Sequence, residues 1–365
     1  MRALRLGMVG GGSGAFIGNV HRMAARLDGQ FELVAGALSS DPGRSRQSGE
    51  DLGLPRIYAD FTEMARAEAA RPDGIEVVAI VTPNHMHAAP ARAFLEQGIH
   101  VICDKPLTAT QEEARDLAAA CAASSARFFL THTYSGYAMI RQARAMVAEG
   151  AIGTIRVVQV EYAQDWLTTD ASSKQADWRT DPARSGAGAV GDIGTHAWHL
   201  ATFVTGLEVE ALSAELSSFV PGRRVDDNVQ AMLRFAGGAR GSLWASQVAP
   251  GNDNTIRLRV FGDKGGLDWT QDAPGQLVFT RFGQPRQILM QNGAGAMDAA
   301  RHVSRVPAGH PEGYIEAFAN IYAEAARAIR GEASTCPGIA DGLGGMAFID
   351  ACLRSSQQNG AWVAP

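Results

Sequence analysis

Residues 77–108 read VVAIVTPNHMHAAPARAFLEQGIHVICDKPLT, and this stretch decides the predicted fold. Val77–Val81 and His100–Cys103 are short apolar runs rich in β-branched residues, which indicate two buried strands. Between them, Ala88–Gln97 has the composition of a helix that ends at Gly98. The stretch therefore predicts a β-α-β unit of a parallel sheet, in which ligands bind at the loops that follow the strands.

Polar residues follow both of these strands, and Lys105 is the strongest candidate for chemistry among them. Pro106 fixes the turn after the second strand, so the lysine is held at the edge of the sheet. A lysine held there is suited to proton transfer. The alternative is an ordinary surface lysine in a connecting loop.

The composition describes a globular protein with small-molecule partners. The chain has 365 residues, of which 46% are hydrophobic and 19% charged, and this length favours two domains. The formal net charge is −5, and acidic and basic residues are interspersed along the chain. The sequence therefore indicates no basic stripe for nucleic acid and no polybasic membrane anchor. We find no apolar run of about 18 residues and no cleavable signal pattern, and we expect a cytoplasmic protein. The four cysteines form no Cys-x-x-Cys pair, so no zinc site or disulfide framework is expected.

A glycine-rich turn near the N-terminus predicts a dinucleotide site. Ala3–Val9 reads as a strand, residues 10–18 read GGGSGAFIG, and Asn19–Leu27 reads as a helix. Such a turn lets the backbone approach a pyrophosphate at the helix N-terminus. If Gly18 is the glycine that packs the helix, the turn is about two residues longer than Gly-x-Gly-x-x-Gly. The alternative is a flexible glycine loop.

The end of the second predicted strand, Phe31–Leu38, bears on the choice of nucleotide. Ser39 and Ser40 stand where an acid would bind the ribose of NAD, and Asp41 follows them. Arg44 and Arg46 are close enough in sequence to bind the 2′-phosphate of NADP, although they could equally lie on a solvated helix face. We therefore expect NAD, with NADP not excluded.

The pattern of strands and helices changes near residue 133. Up to Arg127–Thr131 the two alternate, which predicts an α/β Rossmann domain with a parallel doubly wound sheet over residues 1–132. Residues 133–365 are predicted to form an α+β domain with a large open, mostly antiparallel sheet. An uncovered apolar sheet face must be buried, so we expect a homodimer or homotetramer through this sheet. The predicted strands of this domain are Ile155–Ala163, Val209–Phe219, Val229–Phe235, Ala239–Ser246, Thr255–Phe261 and Gly266–Thr270, and the predicted closing helices are Gly313–Arg330 and Ile339–Ser355.

Residues 186–204, GAGAVGDIGTHAWHLATFV, join a glycine-rich run to a predicted helix. Asp192 and His196 are four residues apart and would project from one helix face, where a carboxylate beside an imidazole assembles a general base. One alternative is a helix-starting aspartate with a structural histidine. Another is a metal site of Asp192, His196 and His199 with nitrogen ligands from the His85-x-His87 segment, which chelation would reveal.

These motifs resemble those of the glucose–fructose oxidoreductase, inositol dehydrogenase and MocA-like (Gfo/Idh/MocA) oxidoreductases over nearly the whole chain. The segments that carry the resemblance are GMVGGGSGAFIGNVHR, VTPNHMHAAPA, CDKPLT and GDIGTHAWHL. CDKPLT resembles the Glu-Lys-Pro signature of the family with Asp104 in place of the glutamate. GDIGTHAWHL resembles its Asp-x-x-x-His element, although His199 stands where many members carry an acid.

The resemblance implies an NAD(P)-dependent dehydrogenase of a cyclic polyol or sugar, either inositol-like or an aldohexose. It implies a triad around the carbon that gives up hydride, in which His196 is the base, Lys105 bonds the reacting oxygen and Asp192 orients the site. It also permits a lyase, epimerase or glycosidase that keeps its cofactor and oxidises only transiently. A non-catalytic nucleotide-binding regulator is a third possibility.

The glycine turn, the end of the second strand and the resemblance together give a set of expected cofactor contacts. These residues are Gly10, Gly12, Ser13, Gly14, Ala15, Phe16, Ile17, Ser39, Ser40, Arg44, Thr82, Pro83, Asn84, His87, Asp104, Lys105 and Pro106. Substrate contacts are expected from Trp166, Arg179 and His310 beside the triad, because tryptophan faces stack on sugar CH groups and the other two donate to hydroxyls. Each of the three could instead be structural.

Overall fold

The computed structural model describes residues 2–169 and 174–365, and the chain divides into two compact units. The first consists of Met1–His132 and Phe318–Leu343, and the second of Thr133–Ala317 and Gly344–Pro365. The sequence placed everything after residue 132 in the second domain, whereas the structure adds residues 318–343 to the first unit. Two hydrogen bonds tie this segment there: Tyr322 Oη lies 2.7 Å from His21 Nδ1, and the Leu130 N–H donates to the Pro337 carbonyl over 2.9 Å.

The first unit is built on the parallel doubly wound sheet that the sequence predicts. Its six strands lie in the order β3-β2-β1-β4-β5-β6, and every neighbouring pair is parallel. The strands are β1 (Leu4–Gly10), β2 (Phe31–Ala37), β3 (Arg56–Ile57), β4 (Val77–Val81), β5 (His100–Cys103) and β6 (Phe128–Leu130). The helices are α1 (Phe16–Leu27), α2 (Pro42–Asp51), α3 (Phe61–Ala69), α4 (Ala88–Glu96) and α5 (Gln111–Ala123).

The strand order reverses beside β1, and this places two loops next to each other. β1 pairs with β2 on one side and with β4 on the other, so the chain winds outward in both directions from this point. The glycine turn follows β1, and the loop that begins at Thr82 follows β4. In doubly wound sheets, ligands bind in the crevice at such a reversal.

The second unit contains an eight-stranded, mostly antiparallel sheet in the order β14-β13-β12-β11-β7-β10-β9-β8. The predicted, mostly antiparallel sheet is confirmed, and β7 and β10 run parallel within it. The last two strands were not predicted. The strands are β7 (Ile155–Ala163), β8 (Val209–Ser217), β9 (Asn228–Phe235), β10 (Arg240–Ser246), β11 (Thr255–Gly262), β12 (Gly265–Thr270), β13 (Gln276–Arg281) and β14 (Gln287–Met290).

One face of this sheet is covered and the other is open within the chain. Along β9, Val229, Ala231, Leu233 and Phe235 are buried, while the residues between them, including Met232 at 55% exposure, are not. The helices after residue 132 are α6 (Ala138–Ala148), α7 (Lys174–Arg179), α8 (Pro182–Ser185), α9 (Thr195–Thr205), α10 (Asp298–Arg301), α11 (Tyr314–Ile329) and α12 (Ile339–Gln357). Of these, α9 packs on β7 and α6. No helix in the described ranges is long and apolar enough to cross a membrane.

The segment that carries Asp192 leads directly into α9. Val190–Gly194 forms a π-helical turn, and α9 begins after it at Thr195. The sequence predicted one helix through both Asp192 and His196. The stretch is helical through both residues, with π-helical geometry over Val190–Gly194. At its start, the backbone N–H groups of Gly188 and Val190 are engaged by the carboxylate of Asp226.

Candidate active site

The glycine turn is built by close packing between the turn and α1. Gly10, Gly11 and Gly14 have φ angles of 76°, 68° and 80°, which favour glycine. A Cβ atom at Gly18 would lie 2.3 Å from the Gly11 carbonyl oxygen, so only glycine allows the helix to approach the turn. The helix begins at Phe16, whereas the sequence predicted Asn19, and Gly18 therefore lies in its first turn.

The exposed part of the turn fits a dinucleotide pyrophosphate. A Cβ atom at Gly14 would have no neighbour within 4 Å, whereas one at Gly12 would lie 2.8 Å from the Leu38 carbonyl oxygen. Ala15 is the N-cap of α1 and provides no side-chain cap. The N–H groups of the first helical turn, which includes Phe16 and Ile17, therefore face no side-chain acceptor from the N-cap and suit an anion.

Two serines and Asp41 lie between β2 and α2, where the sequence predicts contacts to the adenosine ribose. Ser39 is half-buried and Ser40 exposed, while the Asp41 carboxylate caps α2 by accepting the Arg44 N–H over 2.7 Å. Arg44 is exposed. The Asp41 carboxylate is thus used to cap α2.

His87 joins the two loops that follow β4 and β5. Its ring is fully buried, with Nδ1 2.8 Å from the Pro106 carbonyl oxygen and Nε2 2.9 Å from the Thr82 carbonyl oxygen. Burial lowers the pKa of His87. The ring therefore links the backbone of Thr82 to that of Pro106. Between them, Pro83 is half-buried and Asn84 buried.

Asp104 supports the backbone of Lys105. Its Oδ1 accepts the Lys105 N–H and the Thr131 hydroxyl, each over 2.9 Å, and its Oδ2 lies 3.9 Å from His21 Nε2. Burial alone would raise the pKa of Asp104, but His21, Lys105 and His87 outweigh it and hold the pKa well below its usual range. Lys105 is half-buried, and the Lys105–Pro106 peptide bond is cis.

In the second unit, Asp192 is the centre of a polar cluster. Its Oδ2 accepts a hydrogen bond from Gln247 Nε2 over 2.8 Å and one from Arg179 Nε over 3.3 Å. The Arg179 guanidinium lies over the ring of Trp178 at 4.4 Å and that of Trp166 at 5.9 Å. A planar cation held by aromatic faces and a carboxylate has a fixed orientation.

Uncharged amide and hydroxyl groups extend the cluster. Trp166 Nε1 donates to Gln164 Oε1 over 2.8 Å, and Gln164 Nε2 donates to Asn254 Oδ1 over 2.6 Å. Tyr162 also donates to Asn254 Oδ1, over 2.8 Å, and forms a short hydrogen bond with Tyr134. Burial raises the pKa of both tyrosines, so they remain neutral hydroxyls at neutral pH.

His196 packs against these same tyrosines. Its ring meets Tyr134 edge-on at 4.9 Å between centroids and lies 6.1 Å from Tyr162, and the residue is only 7% exposed. His199, three residues on, stacks on Phe203 instead. No cluster of three or more His, Cys, Asp or Glu side chains that could hold a metal ion is found among residues 2–169 and 174–365.

The structure thus joins some of the predicted substrate residues but not all. Asp192, Arg179 and Trp166 share one cluster, whereas His310 is exposed with its Nδ1 3.2 Å from the Pro307 carbonyl oxygen in its own turn. Sequence reasoning missed Tyr134, Tyr162, Gln164, Gln247 and Asn254. Gln164 and Gln247 each follow directly after a strand, which is the signal that could have identified them.

Comparison with known proteins relates both halves of the chain to one group of enzymes. Residues 4–132 match the family described as "Oxidoreductase family, NAD-binding Rossmann fold", and residues 140–268 match the "GFO/IDH/MocA C-terminal domain". A levoglucosan dehydrogenase from Pseudarthrobacter phenanthrenivorans is 30% identical, with 100% of this chain and 98% of that protein covered.

Two solved structures are also similar over the full length. An oxidoreductase from Sinorhizobium meliloti is 55% identical, with a TM-score of 0.92 and 100% of each chain covered. An inositol dehydrogenase homologue from Azotobacter vinelandii, solved with NADH and myo-inositol, is 37% identical with a TM-score of 0.93, and the match covers 100% of this chain and 98% of that one.

Proposed function

The chain belongs to the GFO/IDH/MocA family of NAD-binding oxidoreductases, and we propose that it oxidises a ring hydroxyl of a cyclic polyol or sugar, either inositol-like or an aldohexose. The observation that carries this choice of substrate is the cluster around Asp192. Its members beyond Asp192 and Arg179 are neutral amides, hydroxyls and an indole, which suit a neutral ligand that presents several hydroxyl groups.

Three residues are proposed to act on the reacting alcohol. His196 takes the hydroxyl proton, Lys105 bonds the same oxygen, and Asp192 holds the substrate in register. The Arg179 guanidinium forms an ion pair with Asp192, since the two side chains lie 3.3 Å apart. Trp166 provides an aromatic face for the CH groups of a sugar ring, and His310 is proposed as an outer contact.

The glycine turn and the loops after β2, β4 and β5 are proposed to hold the cofactor. Bound NAD supplies the hydride acceptor. The chain is proposed to position the cofactor through three contacts. The glycine turn receives the pyrophosphate, Ser39 and Ser40 face the adenosine ribose, and the loops joined by His87 flank the nicotinamide. The serines do not repel a 2′-phosphate as an acid would, so we propose that NADP is used as a weaker alternative.

The test is a panel of inositols, aldoses and anhydrosugars, each assayed with NAD and with NADP for a rise in reduced-nicotinamide absorbance. We expect NAD-dependent turnover of at least one compound, and loss of that turnover in His196→Asn and Asp192→Asn variants. No absorbance rise with any compound, together with turnover of a glycoside, would instead identify the transiently oxidising class. Nucleotide binding without any turnover would identify a regulator.

We also propose that the open face of the second sheet forms a homo-oligomer interface. Met232 lies on this face and is 55% exposed, and Gln230, Trp244 and Arg257 line a shallow groove beside it. A Met232→Glu variant should dissociate at concentrations at which the wild type sediments as a dimer or tetramer, because the new charges would be desolvated in the interface. A wild type that sediments as a monomer would overturn this assignment.

A further inference from the structure

Asp226 lies in the segment between β8 and β9 and engages three consecutive backbone amides of the glycine-rich run. Its Oδ1 accepts the N–H of Gly188 over 2.8 Å, and its Oδ2 accepts the N–H of Val190 over 2.7 Å. Its backbone carbonyl accepts the N–H of the residue between them, Ala189, over 2.9 Å. Both oxygens of one buried carboxylate are thus used to fix one short stretch of backbone.

This stretch leads directly into the turn that carries Asp192. The Asp192 N–H donates to the Gly188 carbonyl over 2.9 Å, and Val190 begins the π-helical turn. A Cβ atom at Gly188 would lie 1.8 Å from the Asp226 carbonyl oxygen, so the approach of the two segments requires glycine. The position of the Asp192 carboxylate therefore depends on the contact between Asp226 and the glycine-rich run.

The contact is costly for the folded protein. Burial raises the pKa of Asp226 to about 6, and the neighbouring Asp227 acts in the same direction, although the amides of Val190 and Gly188 oppose the rise. Among the described residues Asp226 forms no ion pair, whereas Asp227 lies 3.6 Å from the guanidinium of Arg223. A buried carboxylate without a cation destabilises a fold, so stability alone does not account for it.

We propose that Asp226 is a positioning residue for the dehydrogenase reaction, which fixes the glycine-rich run so that Asp192 is presented to the substrate. The inference rests on the proposed function, because it holds that Asp226 positions Asp192, the carboxylate that the proposed function places at the substrate. The Asp226 carboxylate bonds backbone amides, and its effect on the reaction passes through Gly188, Val190 and the π-helical turn.

The variant Asp226→Asn tests this directly, with Asp227→Asn as the matched control. An asparagine side chain can accept a hydrogen bond from one of the two backbone amides through its oxygen. Its NH₂ group would face the other amide, and because both of these groups are donors, the backbone must shift. We expect kcat to fall by about tenfold or more while the KM for NAD stays within about twofold. Asp227 instead accepts the amides of Phe219 and Val220, so Asp227→Asn should lower the melting temperature and leave kcat within about twofold.

A kcat of Asp226→Asn within about twofold of the wild-type value would overturn the proposal. Equal losses of kcat in the two variants would also overturn it, since both would then report general stability. Hydrogen exchange gives a measurement that is independent of activity: the Gly188 and Val190 amides should be protected in the wild type and exchange faster in Asp226→Asn. Unprotected Gly188 and Val190 amides in the wild type would refute the contact, whether or not a substrate is found. If the amides are protected but no compound of the panel is turned over, the result counts against the proposed function alone.

Discussion

The side-chain amide of Gln247 donates to Asp192 Oδ2 over 2.8 Å, and the two residues come from distant parts of the chain. Asp192 lies in the π-helical turn before α9, and Gln247 directly follows β10. Gln247 is only 2% exposed, so the hydrogen bond is shielded from water. The carboxylate orientation is therefore set from two sides, by the turn that carries it and by the end of the sheet.

Replacing Gln247 with leucine should lower turnover of the polyol by about tenfold, because a buried hydrogen bond to a charged group is worth roughly 1.5–3 kcal/mol. The affinity for NAD should stay the same. Steady-state kinetics and nucleotide titration measure both quantities. Gln284→Leu, an equivalent change at an exposed position between β13 and β14, is the control and should leave kcat unchanged. Matching losses in both variants would contradict the role of Gln247.

Lys105→Ala should reduce kcat by orders of magnitude while the dissociation constant of NAD changes little, since the ammonium is proposed to bond the reacting oxygen. Calorimetric titration with NAD and single-turnover kinetics separate the two effects. Lys264, exposed between β11 and β12, gives the matched Lys264→Ala control. A Lys105→Ala enzyme with wild-type turnover would remove this residue from the reaction.

Arg44→Ala should weaken binding of NADP and spare that of NAD, because the exposed guanidinium follows the serines that replace the expected acid. Loss of a charged hydrogen bond to the 2′-phosphate corresponds to about a tenfold rise in Kd. Arg46→Ala is the companion variant on the same helix. If the two variants weaken both nucleotides equally, neither arginine reads the phosphate.

Gly18→Ala should lower NAD affinity and melting temperature together. The added Cβ would lie 2.3 Å from the Gly11 carbonyl oxygen, so α1 must move away from the glycine turn. Gly29→Ala is a useful comparison, since its Cβ would meet no atom within 4 Å and only the φ of 62° is strained. Comparable NAD affinity in the Gly18 variant and the wild type would show that the turn tolerates the shift.

Asp226 should also make stability depend on pH. Its folded-state pKa is about 6, against 3.8 for an ordinary aspartate, so below about pH 4 the group is protonated in both the folded and the unfolded state. Between these values only the folded state keeps the proton, and the stability that this gives is lost as the pH rises through about 6. The two-unit shift corresponds to roughly 3 kcal/mol. Urea unfolding of the wild type and Asp226→Asn across this range should show their difference in unfolding free energy changing by about that amount, and a constant difference would contradict the shift.

Local pattern was sufficient to predict the parallel doubly wound sheet of the first unit, but not the contribution of residues 318–343 to that unit. Its strands are short apolar runs, and the β-α-β unit of residues 77–108 folds as expected with helix α4 ending two residues before Gly98. Gly18 and the glycine turn also lie where the pattern places them, although α1 begins three residues earlier than predicted. These features depend on residues that are close together in the sequence, so they can be predicted from the sequence alone.

The polar cluster of the second unit could not be predicted, because it depends on which strands become neighbours. The sequence predicted a mostly antiparallel sheet but did not identify β7 and β10 as a parallel pair, in which Ala163 lies opposite Ser246. The next residues, Gln164 and Gln247, therefore emerge at the same edge and meet. An antiparallel pair would have sent them to opposite edges, so the one parallel pairing makes the amide-rich cluster possible.

Residues 318–343 also determine the order in which the protein can be completed during synthesis. The ring of Phe31 packs against Tyr322 at 5.3 Å, and β6 needs the carbonyl of Pro337, so the first unit lacks part of its interior until that segment emerges from the ribosome. By then residues 133–317 have already been translated. The nucleotide-binding unit begins first but is completed only after residues 133–317 have been translated. A protein truncated after residue 132 would expose the apolar surface that the late segment covers.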